Sequence, residues 1–314
     1  MSVAIPLAAN KFEDPNVTID GKNRATVSLV SLRTLWINTG TLCNLTCRNC
    51  YIESSPQNDR LVYITREEVT AFLDEIERDS LGTEEIGFTG GDPFMNPDLL
   101  GMMIDALSRG FRVLVLTNAM KPMMKFADQL QDISQQYKDR LTLRVSLDHH
   151  SKTGHESERG PRSWKPALDG ISWLRDHKFE INIAGRMFMG ESEELARQGY
   201  DDLFSRLDLH LDAFDPSDLV LFPEMDAKID VSEITTECWG ILNVDPNSVM
   251  CASSRMVVKR KGAAGPSVVA CTLLPYDEAF ELGSTLVDAS NDVSLNHPHC
   301  AQFCVLGGAA CSQG

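Results

Sequence analysis

The hydrophobic positions follow two alternating periods over most of the chain. Six short runs have the pattern of strands, at residues 33–39, 85–89, 111–118, 141–148, 181–186 and 219–222. Between them, apolar residues recur at helical spacing, as at Val69, Phe72, Leu73 and Ile76. Strands that alternate with helices are typical of βα units on a parallel sheet. Since six strands fall short of the eight of a closed barrel, the pattern predicts an α/β fold with a partial, TIM-like (β/α)6 barrel.

One helix boundary can be placed from local chemistry. Thr65 and Glu68 form the sequence of a capping box, in which each side chain bonds to the backbone of the other. The apolar positions that follow have helical spacing, so a helix is expected over residues 66–78.

The parity of two strands predicts which side chains face the barrel lumen. In residues 141–148, leucines and a valine alternate with Arg144, Ser146 and Asp148. If the apolar set packs on the outer helices, the polar set faces the other side of the sheet. The same parity in residues 181–186 directs Asn182 and Arg186 inward.

The pattern changes after Pro223, where cysteines return at positions 238, 251, 271, 300, 304 and 311. Residues 255–259 and 267–270 have strand character, and the glycine-rich stretch between them indicates a β-hairpin. The expected organisation is an N-terminal extension at 1–30, the partial barrel at 31–225, and a small domain at 226–314 that contains the hairpin and the cysteines.

The composition of the chain excludes several classes of protein function. The 314 residues are 43% hydrophobic and 24% charged, with a formal net charge of −16, which argues against a general nucleic-acid surface. The short basic run Lys259 to Lys261 is expected to be a solvated hairpin tip. No apolar run is long enough to cross a bilayer and no secretory signal is evident, so a cytoplasmic location is expected. There, nine cysteines favour metal binding over disulfides.

Three of these cysteines, Cys43, Cys47 and Cys50, lie within eight residues directly after the first predicted strand. An iron-sulfur cube has four irons, so three thiolate ligands leave one iron free to bind a small molecule. The alternatives are a zinc knuckle or buried free thiols. A zinc site would require a fourth ligand nearby, and the nearest histidines are His149 and His150.

Two other sets of residues have simpler explanations. Asp148 with His149 and His150 suggests metal or acid-base chemistry, but paired histidines after a strand are more often solvated loop residues. Packing in the core or between domains is expected of the four tryptophans, Trp36, Trp164, Trp173 and Trp239.

The first two thirds of the chain resemble a radical S-adenosylmethionine (SAM) enzyme. The resemblance rests on the C-x-x-x-C-x-x-C spacing of Cys43, Cys47 and Cys50, on Gly90-Gly91-Asp92-Pro93 after the second predicted strand, and on the βα pattern. The flank Cys-Asn-Leu-x-Cys-x-x-Cys-Tyr is similar to the subgroup with a C-terminal auxiliary-cluster domain, called SPASM or twitch.

This resemblance implies cofactors and contacts. The three cysteines would hold a [4Fe-4S] cluster whose open iron is chelated by SAM, and reductive cleavage would give a 5′-deoxyadenosyl radical. The SAM contacts implied by the resemblance are Gly90, Gly91, Asp92, Thr117, Asn118, Ser146 and Arg186. Two positions depart from the family pattern: Asp92 stands where Glu is usual, and Asn49 stands where an aromatic residue is usual.

The resemblance also implies an auxiliary [4Fe-4S] cluster. Cys251, Gly265 and Cys271 reproduce the family order of cysteine, glycine and cysteine around a hairpin. The expected ligands are Cys251, Cys271 and two of Cys300, Cys304 and Cys311, with Cys238 as the substitute. Structural zinc is the alternative, since thiolates suit both metals.

The resulting expectation is a radical SAM enzyme that oxidises or cross-links a peptide or a small amino-acid-like metabolite, with an electron-donating partner such as flavodoxin or ferredoxin. Radical rearrangement or cyclisation of a nucleotide-like or sugar-like precursor in cofactor biosynthesis is the alternative. An iron-sulfur or zinc protein with a regulatory or binding role is the non-enzymatic alternative. Substrate contacts vary among proteins of one fold, so the substrate class has to come from the structure of the site.

Overall fold

The computed structural model describes residues 5–188 and 190–308. Among the cysteines, Cys311 lies outside the described residues. The helices are α1 Arg66–Asp79, α2 Leu99–Ser108, α3 Lys121–Met124, α4 Ala127–Tyr137, α5 Lys152–Arg159, α6 Trp164–Asp176, α7 Glu193–Arg206 and α8 Cys238–Leu242. The strands are β1 Thr26–Val27, β2 Thr34–Asn38, β3 Glu85–Thr89, β4 Arg112–Thr117, β5 Leu141–Ser146, β6 Glu180–Arg186, β7 Leu219–Phe222, β8 Ser254–Val258, β9 Ser267–Val269, β10 Glu281–Gly283 and β11 Val293–Ser294.

One sheet of nine strands organises the chain. Strands β2 to β7 are parallel neighbours in chain order, each joined to the next through at least one helix or a loop that crosses the sheet. The sheet ends at β7 on one side and at β10 on the other, so it does not close on itself. The prediction of an α/β partial barrel with six parallel strands is therefore confirmed.

The C-terminal hairpin extends the same sheet. Strands β8 and β9 are antiparallel, and β8 lies parallel to β2 with Trp36 opposite Met256. The hairpin prediction is confirmed, and pairing across more than 200 residues is what attaches the cysteine-rich region to the barrel. The domain boundaries themselves stay a prediction.

The two faces of the sheet have separate cores. Leu35 and Ile37 belong to the core between the sheet and the helices. Trp36 and Leu114 belong to a second core on the opposite face, together with residues of the C-terminal region. Because side chains alternate along a strand, the leucines of β5 pack on the helices and its polar residues lie on the lumen side.

Helix α1 begins as its sequence predicts. Thr65 accepts a hydrogen bond from the Glu68 N–H, and Glu68 accepts one from the Thr65 N–H, which completes the capping box. No helix of the described residues is long and apolar enough to span a membrane. Helices α5 and α7 had no sequence prediction, although Ser151 and Ser192 cap their first turns.

The N-terminal segment is fixed to the C-terminal region. Strand β1 pairs with β11, and Arg24 forms a buried ion pair with Glu233 at 2.5 Å. Glu233 also accepts hydrogen bonds from the backbone N–H groups of Phe12 and Ile19. This network holds residues before the barrel against residues that follow it.

Candidate functional site

The three clustered cysteines line one cavity at the carboxyl ends of the barrel strands. Cys43, Cys47 and Cys50 follow β2 and border a cavity of about 170 Å³. Parallel barrels carry their sites at this end, because the loops after the strands converge there. The cysteine loop is held by helix α5: the Arg48 N–H donates to the Glu158 carbonyl, and Asn49 Nδ2 donates to the Glu158 carboxylate at 2.9 Å.

The glycine turn after β3 packs directly on the cysteine loop. The Gly91 N–H donates to the Gly40 carbonyl at 2.8 Å. A Cβ added to Gly91 would lie 2.5 Å from the carbonyl carbon of Leu42 and 3.0 Å from the nitrogen of Cys43. Gly90 has a φ of +139°, a backbone conformation that glycine adopts readily and other residues rarely adopt. Both glycines line the cavity, and the turn can only approach the loop this closely without side chains.

Asp92 lies behind the cavity wall. It is 2% exposed, and its carboxylate accepts hydrogen bonds from the N–H of Phe94, the hydroxyl of Thr117 and the N–H of Asn118. Burial raises the pKa of this carboxyl, and the three donors oppose that shift. These contacts tie the glycine turn to the end of β4. A direct contact of Asp92 with SAM stays a prediction.

Two arginines converge on Asp148. Arg159 donates two hydrogen bonds to its carboxylate, at 2.8 and 3.0 Å, and Arg186 approaches to 3.5 Å. Burial opposes ionisation of Asp148, but the two cations hold its pKa below the usual value. Arg186 also lies over the ring of Tyr51 at 4.5 Å and donates to the Asn49 carbonyl. The arginines are thereby fixed beside the cysteine loop.

The remaining predicted SAM contacts lie on the same cavity wall. Thr117, Asn118, Ser146 and Arg186 all border the cavity, as do Gly90 and Gly91. Asn118 Nδ2 donates to Asn44 Oδ1 at 2.9 Å, which connects the end of β4 to the cysteine loop. Residues from four strand ends and one loop therefore surround one space.

The three thiols do not form the close group that a single zinc ion requires. Zn–S bonds of about 2.3 Å place the sulfurs of a tetrahedral site roughly 3.8 Å apart. Among the histidine, cysteine, aspartate and glutamate residues that the structure describes, only His149, His150 and Glu191 have three potential metal-ligand atoms within 4.8 Å of one another. Thiolates of an iron-sulfur cube each bind a different iron and lie further apart. Burial raises the pKa of the Cys43 thiol to about 12, so a thiolate there requires a metal's positive charge.

A second set of cysteines borders a neighbouring cavity. Cys251, Cys271, Cys300 and Cys304 line it together, whereas Cys238 lies in α8 and accepts a hydrogen bond from the Thr235 N–H. The eight described cysteines form no disulfide. Burial raises the pKa of Cys251 to about 11, and that of Cys300 rises for the same reason. Leu273 belongs to the walls of both cavities, so the two cysteine sites are neighbours.

The paired histidines form a polar cluster with Glu191 directly after Asp148 in the chain. His149 and His150 stack at 4.0 Å, and their Nε2 atoms lie 3.4 and 3.2 Å from the Glu191 carboxylate. The Ser151 N–H donates to His149 Nδ1, so the neutral ring carries its proton on Nε2, facing Glu191. A metal ion at that nitrogen would compete with this proton. The cluster is half-buried, not a solvated loop.

Several cavity residues carried no site prediction from the sequence. Arg159 had no predicted role, and its pairing with Asp148 depends on the position of helix α5. The apolar wall was also not foreseen: Trp36, Ile52, Leu116, Ala184, Phe222 and Leu273. Strand parity places four of these, Trp36, Leu116, Ala184 and Phe222, on the lumen side, but parity alone cannot separate a lining residue from a core residue.

Comparison with known proteins agrees with this architecture. Residues 37–198 match the Radical SAM superfamily. The chain is 31% identical over 164 residues to the antilisterial bacteriocin subtilosin biosynthesis protein AlbA of Bacillus subtilis, which covers 51% of this chain and 35% of AlbA. It is 28% identical over 142 residues to an AdoMet-dependent heme synthase of Nitratidesulfovibrio vulgaris, 45% of this chain and 36% of that protein. The chain thus matches about a third of the length of these relatives.

Solved structures share the fold. Streptococcus suis SuiB bound to S-adenosylmethionine superposes with a TM-score of 0.58 at 11% identity, over 81% of this chain and 63% of SuiB. Native anSMEcpe with bound AdoMet gives a TM-score of 0.58 at 15% identity, over 84% of this chain and 81% of that one. Because the superfamily match covers more than half of the chain and the fold agrees, this protein belongs to the radical SAM superfamily, an enzyme family whose cofactors are a [4Fe-4S] cluster and SAM.

Proposed function

We propose that this protein cleaves SAM reductively and uses the resulting radical to oxidise or cross-link a peptide or a small amino-acid-like substrate. The observation that carries the proposal is the single cavity bordered by Cys43, Cys47 and Cys50, by the glycine turn, and by Arg159 and Arg186. Cluster ligands and SAM contacts have to meet in one space for this chemistry, and residues predicted for both roles border this cavity.

The chain's own residues bind and orient the cofactors in this proposal. Cys43, Cys47 and Cys50 hold the cluster, and the backbone of Gly90 and Gly91 lies beside it. When bound, the cluster supplies one electron to SAM, and the 5′-deoxyadenosyl radical so formed removes a hydrogen atom from the substrate. Arg159 and Arg186 place fixed positive charge at the cavity wall, which suits the SAM carboxylate.

The auxiliary cluster is proposed at Cys251, Cys271, Cys300 and Cys304. These four thiols border one cavity, and the segment directly after Cys271 contributes Thr272 and Leu273 to the wall of the first cavity. A cluster at this site would adjoin the wall of the first cavity that Thr272 and Leu273 form. Cys238 and Cys311 are then outside the ligand set.

A peptide or amino-acid-like substrate is supported by relatives and by charge. The similar protein AlbA takes part in biosynthesis of the bacteriocin subtilosin, and SuiB has been solved bound to its precursor peptide SuiA. Among the described cavity residues, Arg159 and Arg186 are the cationic ones, and both face Asp148. A polyphosphate would require several cations without such a partner.

A cofactor-biosynthesis role is the second candidate. It is favoured by the similarity to AdoMet-dependent heme synthases of Nitratidesulfovibrio vulgaris and Methanosarcina barkeri, the latter at 30% identity over 146 residues. Both candidate functions use the same SAM cleavage, and they differ in the substrate that the cavity would bind.

The test is anaerobic reconstitution with iron and sulfide, followed by dithionite reduction in the presence of SAM. The wild-type chain should contain roughly eight irons and form 5′-deoxyadenosine. Replacing Cys43, Cys47 and Cys50 by alanine should remove about four irons and abolish 5′-deoxyadenosine, whereas Cys271→Ala with Cys300→Ala should remove about four and spare the first cluster. No 5′-deoxyadenosine from iron-loaded wild type would refute the proposal. Roughly four irons plus zinc would refute the auxiliary cluster.

A further inference from the structure

Arg255 is a buried cation of strand β8 that forms no ion pair with a carboxylate of the described residues. It is 0% exposed. Its guanidinium donates four hydrogen bonds at 2.5 to 3.2 Å, all to backbone carbonyl oxygens, those of Cys251, Ser254, Ala289 and Asn291. Arg24, which is 3% exposed, is instead paired with Glu233. Carbonyl dipoles solvate a cation but leave its charge in place, and a buried charge without a counter-charge is unfavourable.

This cation lies beside the second set of cysteines. Nη1 of Arg255 is 2.5 Å from the carbonyl oxygen of Cys251, so covalent geometry places the guanidinium within about 8 Å of the Cys251 sulfur. Burial lowers the pKa of Arg255, and the groups whose negative charge opposes this shift are Cys251, Cys271 and Asp292. Both cysteines border the second cavity, whereas Asp292 is exposed and screened by solvent. The buried groups that can neutralise Arg255 are therefore the two cysteines, once they are thiolates.

Arg255 acts on this site through its charge and not through contact. It is not one of the described residues that border the second cavity, and its hydrogen bonds go to the backbone. A [4Fe-4S] cluster with four thiolate ligands carries a net negative charge, and reduction adds one more. The centre of a cluster bound through Cys251 would lie within about 12 Å of the guanidinium. At an effective dielectric constant of about 20, one charge at that distance changes a one-electron equilibrium about tenfold.

We propose that Arg255 is the counter-charge of the auxiliary cluster and raises the reduction potential of that cluster. This inference rests on the auxiliary cluster of the proposed function and assigns it a residue outside the ligand set. The cation stabilises the reduced cluster more than the oxidised one, because the reduced cluster carries more negative charge. A cluster that is easier to reduce accepts an electron more readily, which suits an oxidative reaction.

The test measures the midpoint potential of the auxiliary cluster in the reconstituted full chain with Cys43, Cys47 and Cys50 replaced by alanine, so that only this cluster contributes. Electron paramagnetic resonance follows the reduced cluster during an anaerobic redox titration. Arg255→Gln removes the charge but keeps an amide donor, so the reduction equilibrium should fall about tenfold, which is about 59 mV in midpoint potential. Arg255→Lys keeps the charge and should keep the parent potential. Arg206→Met is the matched control, since Arg206 is exposed in α7, between β6 and β7 at the far end of the sheet.

Iron content covers the event that a neutral variant cannot hold the cluster. Loss of the cluster from Arg255→Gln but not from Arg255→Lys would also support the counter-charge. An unchanged potential in Arg255→Gln, an equal fall in Arg255→Lys, or loss of the cluster from both variants would overturn the inference, because both substitutions disturb the hydrogen bonds and only one removes the charge. None of these readouts uses SAM cleavage, so a failure here is distinct from absence of 5′-deoxyadenosine, which tests the proposed function. Absence of a second cluster from the wild-type chain would overturn this inference together with the auxiliary cluster.

Discussion

Replacing Gly91 by alanine is expected to displace the cysteine loop. The added Cβ would lie 2.5 Å from the carbonyl carbon of Leu42 and nearer still to its carbonyl oxygen, and ordinary contact begins at 3.4 Å, so the two segments must separate by more than about 1 Å. The neighbour is backbone, which cannot rotate away as a long side chain can. Since Cys43 follows Leu42 directly, the displacement reaches the first predicted cluster ligand. A misplacement of this size in an active site costs about 100-fold in rate.

The assay compares iron content and the rate of 5′-deoxyadenosine formation after identical anaerobic reconstitution. Gly91→Ala should bind less iron and lose about two orders of magnitude in rate. Gly240→Ala is the matched control, because nothing lies within 4 Å of a Cβ at that helical position and alanine favours a helix. Wild-type iron content and rate in Gly91→Ala would show that the glycine turn does not position the cysteine loop.

Three further substitutions test the contacts around the cavity and the N-terminal segment. Asp148→Asn leaves two largely buried arginines without a counter-charge and should lower the free energy of unfolding in urea by roughly 3–5 kcal/mol, and a loss below 1 kcal/mol would contradict the ion-pair assignment. Asp92→Glu restores the usual family residue but adds a methylene at a site that is 2% exposed, so the melting temperature should fall, by an amount that corresponds to roughly 1–3 kcal/mol. An unchanged melting temperature would mean that the turn has room for Glu. Burial alone would raise the pKa of Glu233, but donors from Ile19 and Arg24 hold it below its usual value near 4.5. The ion pair between Arg24 and Glu233 should therefore stabilise the protein above about pH 4.5 and lose this effect as the pH falls. The difference in melting temperature between wild type and Glu233→Gln should shrink over the same pH range. A pH-independent difference would contradict the lowered pKa.

Local signals in the sequence predicted a large part of the fold. The capping box at Thr65 placed the start of α1, and the alternation in residues 141–148 placed Ser146 on the lumen side. Both depend on neighbours within a few residues, which the sequence shows directly. The helix α5 was not foreseen, because its residues 152–159 contain a glycine and no apolar side chain, and its buried positions are His155 and Glu158. That helix supplies Arg159 to the cavity and Glu158 to the cysteine loop.

The sequence by itself determined the six parallel strands, the three-cysteine motif and the glycine turn, because period and spacing are local properties. Only the tertiary structure decided that Asp92 is committed to Phe94, Thr117 and Asn118, that Cys251, Cys271, Cys300 and Cys304 border one cavity, and that Arg159 reaches the main cavity. These outcomes depend on contacts between residues far apart in the chain. Such contacts are set by strand register and by the packing of loops, and neither is encoded at any one position.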